Sequence, residues 1–150
     1  MYWDDTARAA RTLGLELVTG DVREAGHLEE TFETFVTRGV QGVLVLTDPL
    51  LRSQAKRIAE LAAKHRLPAM YGGTWFVEAG GLASYSADFD AMVRRVAYYI
   101  DRILNDARPA ILPIEQPTKY DLIFNLKTAK ALGLTIPETL LVRADRLIEE

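Results

Sequence analysis

The run Val43-Leu44-Val45-Leu46, followed without a break by Thr47-Asp48-Pro49, restricts the fold of this chain more than any other feature. A continuous apolar run closed by turn residues predicts a strand buried on both faces, as in a parallel sheet. Asp48 is suited to cap the next helix, and Pro49 to occupy its first turn. That helix is predicted to reach about His65, with Leu51, Ala55, Ile58 and Ala62 as its buried stripe. A buried strand feeding directly into an amphipathic helix is the repeating unit of an α/β fold.

The rest of the chain keeps the alternation. Asp4 to Leu13 reads as a helix with Ala7, Ala10 and Leu13 on one side and Gly14 as its stop. Leu15-Glu16-Leu17-Val18 reads as a short strand. From Gly26 to Arg38, Leu28, Phe32, Phe35 and Val36 share a helical face while Glu29, Glu30 and Glu33 face water. Leu67 to Tyr71 is a strand broken by Gly72-Gly73, Trp75 to Ala79 a helical turn, and Leu82 to Tyr85 a further strand. A long helix from Phe89 to Asn105 is predicted to bury Phe89, Met92, Val93, Val96, Ile100, Ile103 and Leu104. Pro109, Pro113 and Pro117 then mark an extended connection. Asp121 to Asn125 is the last predicted strand, Leu126 to Leu132 a short helix ending at Gly133, and Pro137 opens a final turn.

The fold expected is α/β, with a mostly parallel, doubly wound sheet and helices on both faces. A doubly wound unit ordinarily starts on a strand near the middle of its sheet, whereas this chain starts on a helix. The expectation is that a leading strand belongs upstream of Met1, in a longer parent.

Several function classes find no support. The formal net charge is -3 and no Lys/Arg cluster stands out, which argues against a nucleic-acid partner. With no cysteine, the chain has no disulfide framework, zinc-thiolate site or cysteine nucleophile. No apolar run approaches the ~18 residues of a membrane helix, and Met1 to Asp5 does not read as a signal peptide, so the chain alone is expected to stay in the cytoplasm. His27 and His65 lie in exposed helical patterns, and nothing matches GxGxxG, the phosphate-binding loop, HExxH or the nucleophile elbow. No catalytic residue, metal site or cofactor is predicted.

Glu115-Gln116-Pro117-Thr118-Lys119-Tyr120 and Asn125 to Pro137 resemble the end of one family, the ABC transporter substrate-binding proteins that include tryptophan- and tyrosine-binding lipoproteins. Phe76 to Tyr85 and Thr47-Asp48-Pro49 are similar to the same family. The resemblance implies one lobe of a type I periplasmic binding protein, lacking its leading strand. Residues 1–87 would form the second ligand-binding lobe, and residues 88–150 the crossover helix and the segment that completes the first. It also implies an amino-acid-like solute, aromatic at the family level, membrane subunits of a transporter as partners, and a periplasmic or extracytoplasmic setting.

Ligands of open α/β sheets sit beyond the carboxyl ends of the strands, and three segments here meet that condition. Thr47 and Asp48 could hold the polar groups of an amino acid, with Asp48 pairing an ammonium; the alternative for Asp48 is a helix cap alone. Tyr71, Gly72 and Trp75 combine a close backbone approach with flat aromatic surface; the alternative is a glycine turn with its rings in the core, Phe76 among them. Ser84 to Asp88 reads as a polar loop in which Ser84 or Asp88 could touch a ligand, Ser86 or Asp88 caps the next helix, and a hinge role is open. Two rival readings remain. One is a truncated, self-associating structural module, which predicts a homodimer or strand-swapped oligomer. The other is a flavodoxin-like enzyme.

Overall fold

Local capping sets many of the element boundaries. The computed structural model describes residues 2–149. Helix α1 (Tyr2–Thr12) is followed by an irregular stretch, a 3-10 turn at Ala25–His27 and helix α2 (Leu28–Thr37). Strand β1 (Val43–Val45) leads into α3 (Pro49–Ser53), where Asp48 Oδ1 accepts from the Leu50 and Leu51 amides at 2.7 and 3.3 Å. The single helix expected from Pro49 to His65 is two, because Gln54 leaves helical geometry (φ -106, ψ 17) before α4 (Ala55–Lys64) begins. Strand β2 (Ala69–Tyr71), α5 (Thr74–Glu78) and β3 (Ala83–Ala87) follow. Then come α6 (Phe89–Leu104), capped by Asp88, β4 (Tyr120–Asn125), α7 (Leu126–Leu132), α8 (Glu138–Leu141) and β5 (Arg146–Ile148). Asn125 caps α7 through the Thr128 amide, and Gly133, at φ 73, ends it in a left-handed turn that a side chain would strain.

The five strands form one sheet in the order β1-β2-β3-β4-β5. Pairings β1–β2, β2–β3 and β4–β5 are parallel, and β3–β4 is antiparallel. The fold is thus α/β with a mostly parallel sheet. Because side chains alternate along a strand, Tyr71 and Met70 point to opposite faces, and two hydrophobic clusters occupy those faces. On one, Val45 and Tyr71 pack with Leu28, Phe32, Ile58 and Phe76 from α2, α4 and α5. On the other, Ala83 and Phe124 pack with Leu82 and Ala129, and Met70 joins their edge.

Four further expectations fail. Leu15 to Val18 forms no strand, since no described strand lies alongside to take up its backbone groups; Val18 alone packs against the core while Leu15 and Leu17 stay exposed. Strand β1 is not buried on both faces: it is the outermost strand of the sheet, and Leu44 is 53% exposed on the face opposite Val45. The polar loop expected from Ser84 is strand as far as Ala87, held by five registered pairs with β4. Helix α6 buries none of its 16 residues, so its apolar stripe, from Phe89 to Leu104, faces solvent. Its ties run instead to the following extended segment, where the Tyr99 hydroxyl donates to the Pro113 carbonyl at 2.7 Å and Arg95 forms a two-point ion pair with Glu115. That pair holds the Glu115 carboxyl below its ordinary pKa. Strand β5 and the antiparallel step had no counterpart in the sequence reading.

Candidate functional site

Three parallel strands end at one edge of the sheet, and β4, running the other way, begins there. The segments that leave this edge are Leu46 to Asp48, Gly72 to Trp75 and Asp88 to Phe89, with Lys119 returning beside them. They are joined to one another rather than merely adjacent.

The first two segments are stapled together. The Thr47 hydroxyl donates to the Gly72 carbonyl at 2.8 Å, and the Gly72 amide donates to the Val45 carbonyl at 3.0 Å. A Cβ at Gly72 would stand 2.5 Å from Thr47 Oγ1, so the staple demands glycine there. The Trp75 ring folds back over Gly73, where a Cβ would meet it at 2.3 Å. Its indole N–H is buried with no acceptor among the described residues.

The third segment is pinned from below. The Asp88 carboxylate accepts from the Ala91 amide at 2.8 Å and from Lys119 at 2.9 Å, and Lys119 also pairs with Asp121 at 3.0 Å. The Ala91 amide, then Lys119, hold the Asp88 carboxyl below its ordinary pKa, while Asp88, then Asp121, raise that of Lys119. Beside this pin the Tyr85 and Tyr120 rings stack with centroids 5.5 Å apart, both exposed.

Of the residues singled out by sequence, Thr47, Gly72 and Trp75 meet at this edge. Asp48 stands with them; its Oδ1 serves as the cap of α3, and no described residue bonds its Oδ2. Asp88 lies at the same edge, engaged by Lys119. Tyr71 and Ser84 lie deeper. Tyr71 is buried against Phe76, ring centroids 4.8 Å apart, and burial pushes its phenol pKa up. Ser84 is fully buried in the middle of the sheet beside Tyr71, and neither hydroxyl has a partner among the described residues.

Two residues at the edge escaped the sequence reading. Lys119 lies within a recognised motif but gave no sign of its partner 31 positions away. Arg52 lies on α3, four positions after its cap Asp48. Its guanidinium sits 4.4 Å from the Trp75 ring centroid and 5.7 Å from that of Phe89. Arg52 therefore links the first segment to the second and third, and no carboxylate among the described residues lies within ion-pair distance of it. A shallow depression lined by Leu126, Ala129, Leu134 and Ile136 lies at the opposite end of the sheet, away from these groups. Among the described residues no cluster of three metal-ligating side chains occurs, and no helix is long and apolar enough to cross a membrane.

A family model described as ABC transporter substrate binding protein matches residues 4–148. The chain belongs to this family. Solved structures similar to this substrate-binding family member include an ABC domain in complex with L-Trp from Streptococcus pneumonia, at 27% identity and TM-score 0.88, covering 98% of this chain and 50% of that one. A conserved domain protein from Vibrio cholerae O1 biovar El Tor has 24% identity and TM-score 0.89, over 97% of this chain and 49% of that one. The ligand-free, open structure of a substrate binding protein with adhesive properties from Clostridium difficile has 20% identity and TM-score 0.70, over 98% and 49%. The last two likenesses establish the fold alone. The chain spans about half the length of the solved structures it matches. No curated protein matches it.

Proposed function

We propose that this chain supplies one jaw of a two-lobed solute-binding protein of an ABC transporter, holding an amino acid with an aromatic side chain at the strand-end edge without chemical conversion. The observation that carries the reading is the stapled pair of loops, Thr47 to Gly72, with Trp75 beside them, in a chain of the substrate-binding family. The similar ABC domain in complex with L-Trp supports the choice of solute. In this reading Asp48 Oδ2 takes the ammonium, and Trp75, folded over Gly73 and under the Arg52 guanidinium, shapes the wall beside it. Tyr71 and Ser84 shape the floor from within the sheet. The Asp88–Lys119 pin marks where the chain leaves for the other lobe and returns.

The solvent-facing stripe of α6 fits the same reading. Each fully buried Val, Ile or Phe side chain stabilises by about 1.5–3 kcal/mol, so an entirely apolar, uncovered stripe argues for a partner surface. Of residues 88–150, α6 and the extended segment after it are the part proposed to lie against the first lobe; β4 and β5 remain in the sheet of β1 to β3. Closure of two lobes on the solute would present the conformation recognised by the transporter's membrane subunits, outside the cytoplasm.

Thermal-shift screening of the chain against amino acids, flavins and nucleotides tests this function. Stabilisation by aromatic amino acids is expected. Stabilisation by flavin or nucleotide instead would favour the flavodoxin-like enzyme.

The open edge of β1 and exposed Leu44 support a second reading, in which a second copy covers both the edge and α6 as a homodimer or strand-swapped oligomer. Size-exclusion chromatography with light scattering separates the two readings, because a stable monomer rules out the second.

A further inference from the structure

We propose that Arg52 is the group that recognises the solute's carboxylate, and that this site therefore selects carboxylate-bearing aromatic compounds over their amine or neutral counterparts. The proposal rests on the solute-binding reading above and names the chemistry by which that site chooses. Arg52 lies on α3, one helical turn past Asp48, and reaches across the edge to the rings of Trp75 and Phe89 at 4.4 and 5.7 Å. A guanidinium stacked on rings uses its faces and leaves its N–H donors, which lie around its rim, free for a planar acceptor. Here those donors have no acceptor: the Arg52 side chain makes no hydrogen bond and no ion pair with any described residue.

The neighbouring charges sharpen the assignment. Asp88 and Lys119 neutralise one another, and Asp121 shares the same lysine. Arg52 is thus a cation without a direct carboxylate partner among the described residues, set against two rings with its donor fork unused. A carboxylate matches that fork in two-point geometry, which a lone lysine ammonium cannot reproduce. Asp48 Oδ2, at the start of α3, is the oxygen left to take the ammonium of a zwitterion.

The test is a 1H–15N NMR titration of the full 150-residue chain, following the Arg52 Nε–H and Trp75 indole signals, with L-tryptophan, indole-3-propionate and tryptamine as probes. The expected result is a saturable shift of the Arg52 signal with L-tryptophan and indole-3-propionate and none with tryptamine. Arg52→Gln and Arg52→Lys should each weaken both carboxylates by at least about tenfold, while the backbone spectrum stays otherwise unchanged. If L-tryptophan and tryptamine bind alike, or Arg52→Gln binds L-tryptophan like wild type, the inference falls and the solute-binding reading stands. If indole-3-propionate alone engages Arg52, the inference stands and the amino-acid reading falls. If no carboxylate moves the Arg52 signal, the inference is overturned.

Discussion

Thr47 and Gly72 allow a quantitative check on how the strand-end loops are held. A Cβ at Gly72 would stand 2.5 Å from Thr47 Oγ1, 3.3 Å from the Thr47 nitrogen and 3.5 Å from the Val45 oxygen. The first approach is the severe one, and relieving it means swinging Thr47 away and breaking its 2.8 Å bond to the Gly72 carbonyl. Losing that bond costs about 0.5–1.5 kcal/mol, and residual crowding adds about 1–3 kcal/mol. Reduced freedom of the unfolded chain returns about 0.4–1 kcal/mol, and Gly72 does not occupy the left-handed region that would penalise alanine. Gly72→Ala should therefore destabilise by roughly 1–3 kcal/mol and Thr47→Ala by about 1 kcal/mol. In the double variant the crowding oxygen is gone and the bond can be lost only once. The pair should then cost about 1 kcal/mol less than the sum of the single variants, measured by urea unfolding. Additivity to within about 0.5 kcal/mol would refute the staple.

Gly81→Ala should be more damaging, by about 2–3 kcal/mol, because its Cβ would meet the buried Tyr71 ring at 2.5 Å and the Phe76 carbonyl oxygen at 2.8 Å, neither free to move; the urea midpoint measures it. Introducing Val96→Glu with Ile100→Glu on α6 should leave the stability of the isolated chain within about 0.5 kcal/mol, because neither side chain is buried, and should abolish any self-association seen by light scattering. The Asp88 carboxyl has a folded pKa below its ordinary value of 3.8, so the stability it contributes is present at neutral pH and is lost as pH falls through the acid range. Asp88→Asn should flatten that loss in melting curves recorded between pH 7 and pH 3. Lys119, shifted the other way from 10.5, contributes stability that holds below that value and is lost as pH rises beyond it; Lys119→Met should remove the alkaline decline.

Elements defined by local chemistry were legible in the sequence. The Asp48-Pro49 start, the Asp88 cap and the Gly133 stop all lie within four residues of what they control. Strand Val43–Val45 was found by its apolar run, but its burial was overestimated, because a run of apolar side chains does not say whether its neighbours arrive. The same reasoning failed on α6, whose helical period is clear and whose stripe nevertheless meets nothing. Periodicity identifies the face intended for burial, not the surface that covers it. Strand β5, at three residues, is too short to carry a pattern. At the candidate site, the strand-end placement of Thr47, Asp48, Gly72 and Trp75 followed from where the predicted strands stop. Arg52 did not, because stacking between Trp75 and Phe89 depends on a contact between residues 23 and 37 positions away.

The Asp88–Lys119 junction has a further consequence for how such a chain can vary. The Asp88 amide donates to the Lys119 carbonyl at 3.1 Å while their side chains pair, so the polypeptide departs from the sheet and rejoins it at a single knot. Everything from Phe89 to Thr118 hangs from that knot like a handle. Lengthening a loop closed at its base costs little entropy, about 0.6 kcal/mol for each doubling. Evolution, or an engineer, can thus exchange the handle beyond Phe89 while the strand-end loops keep their arrangement.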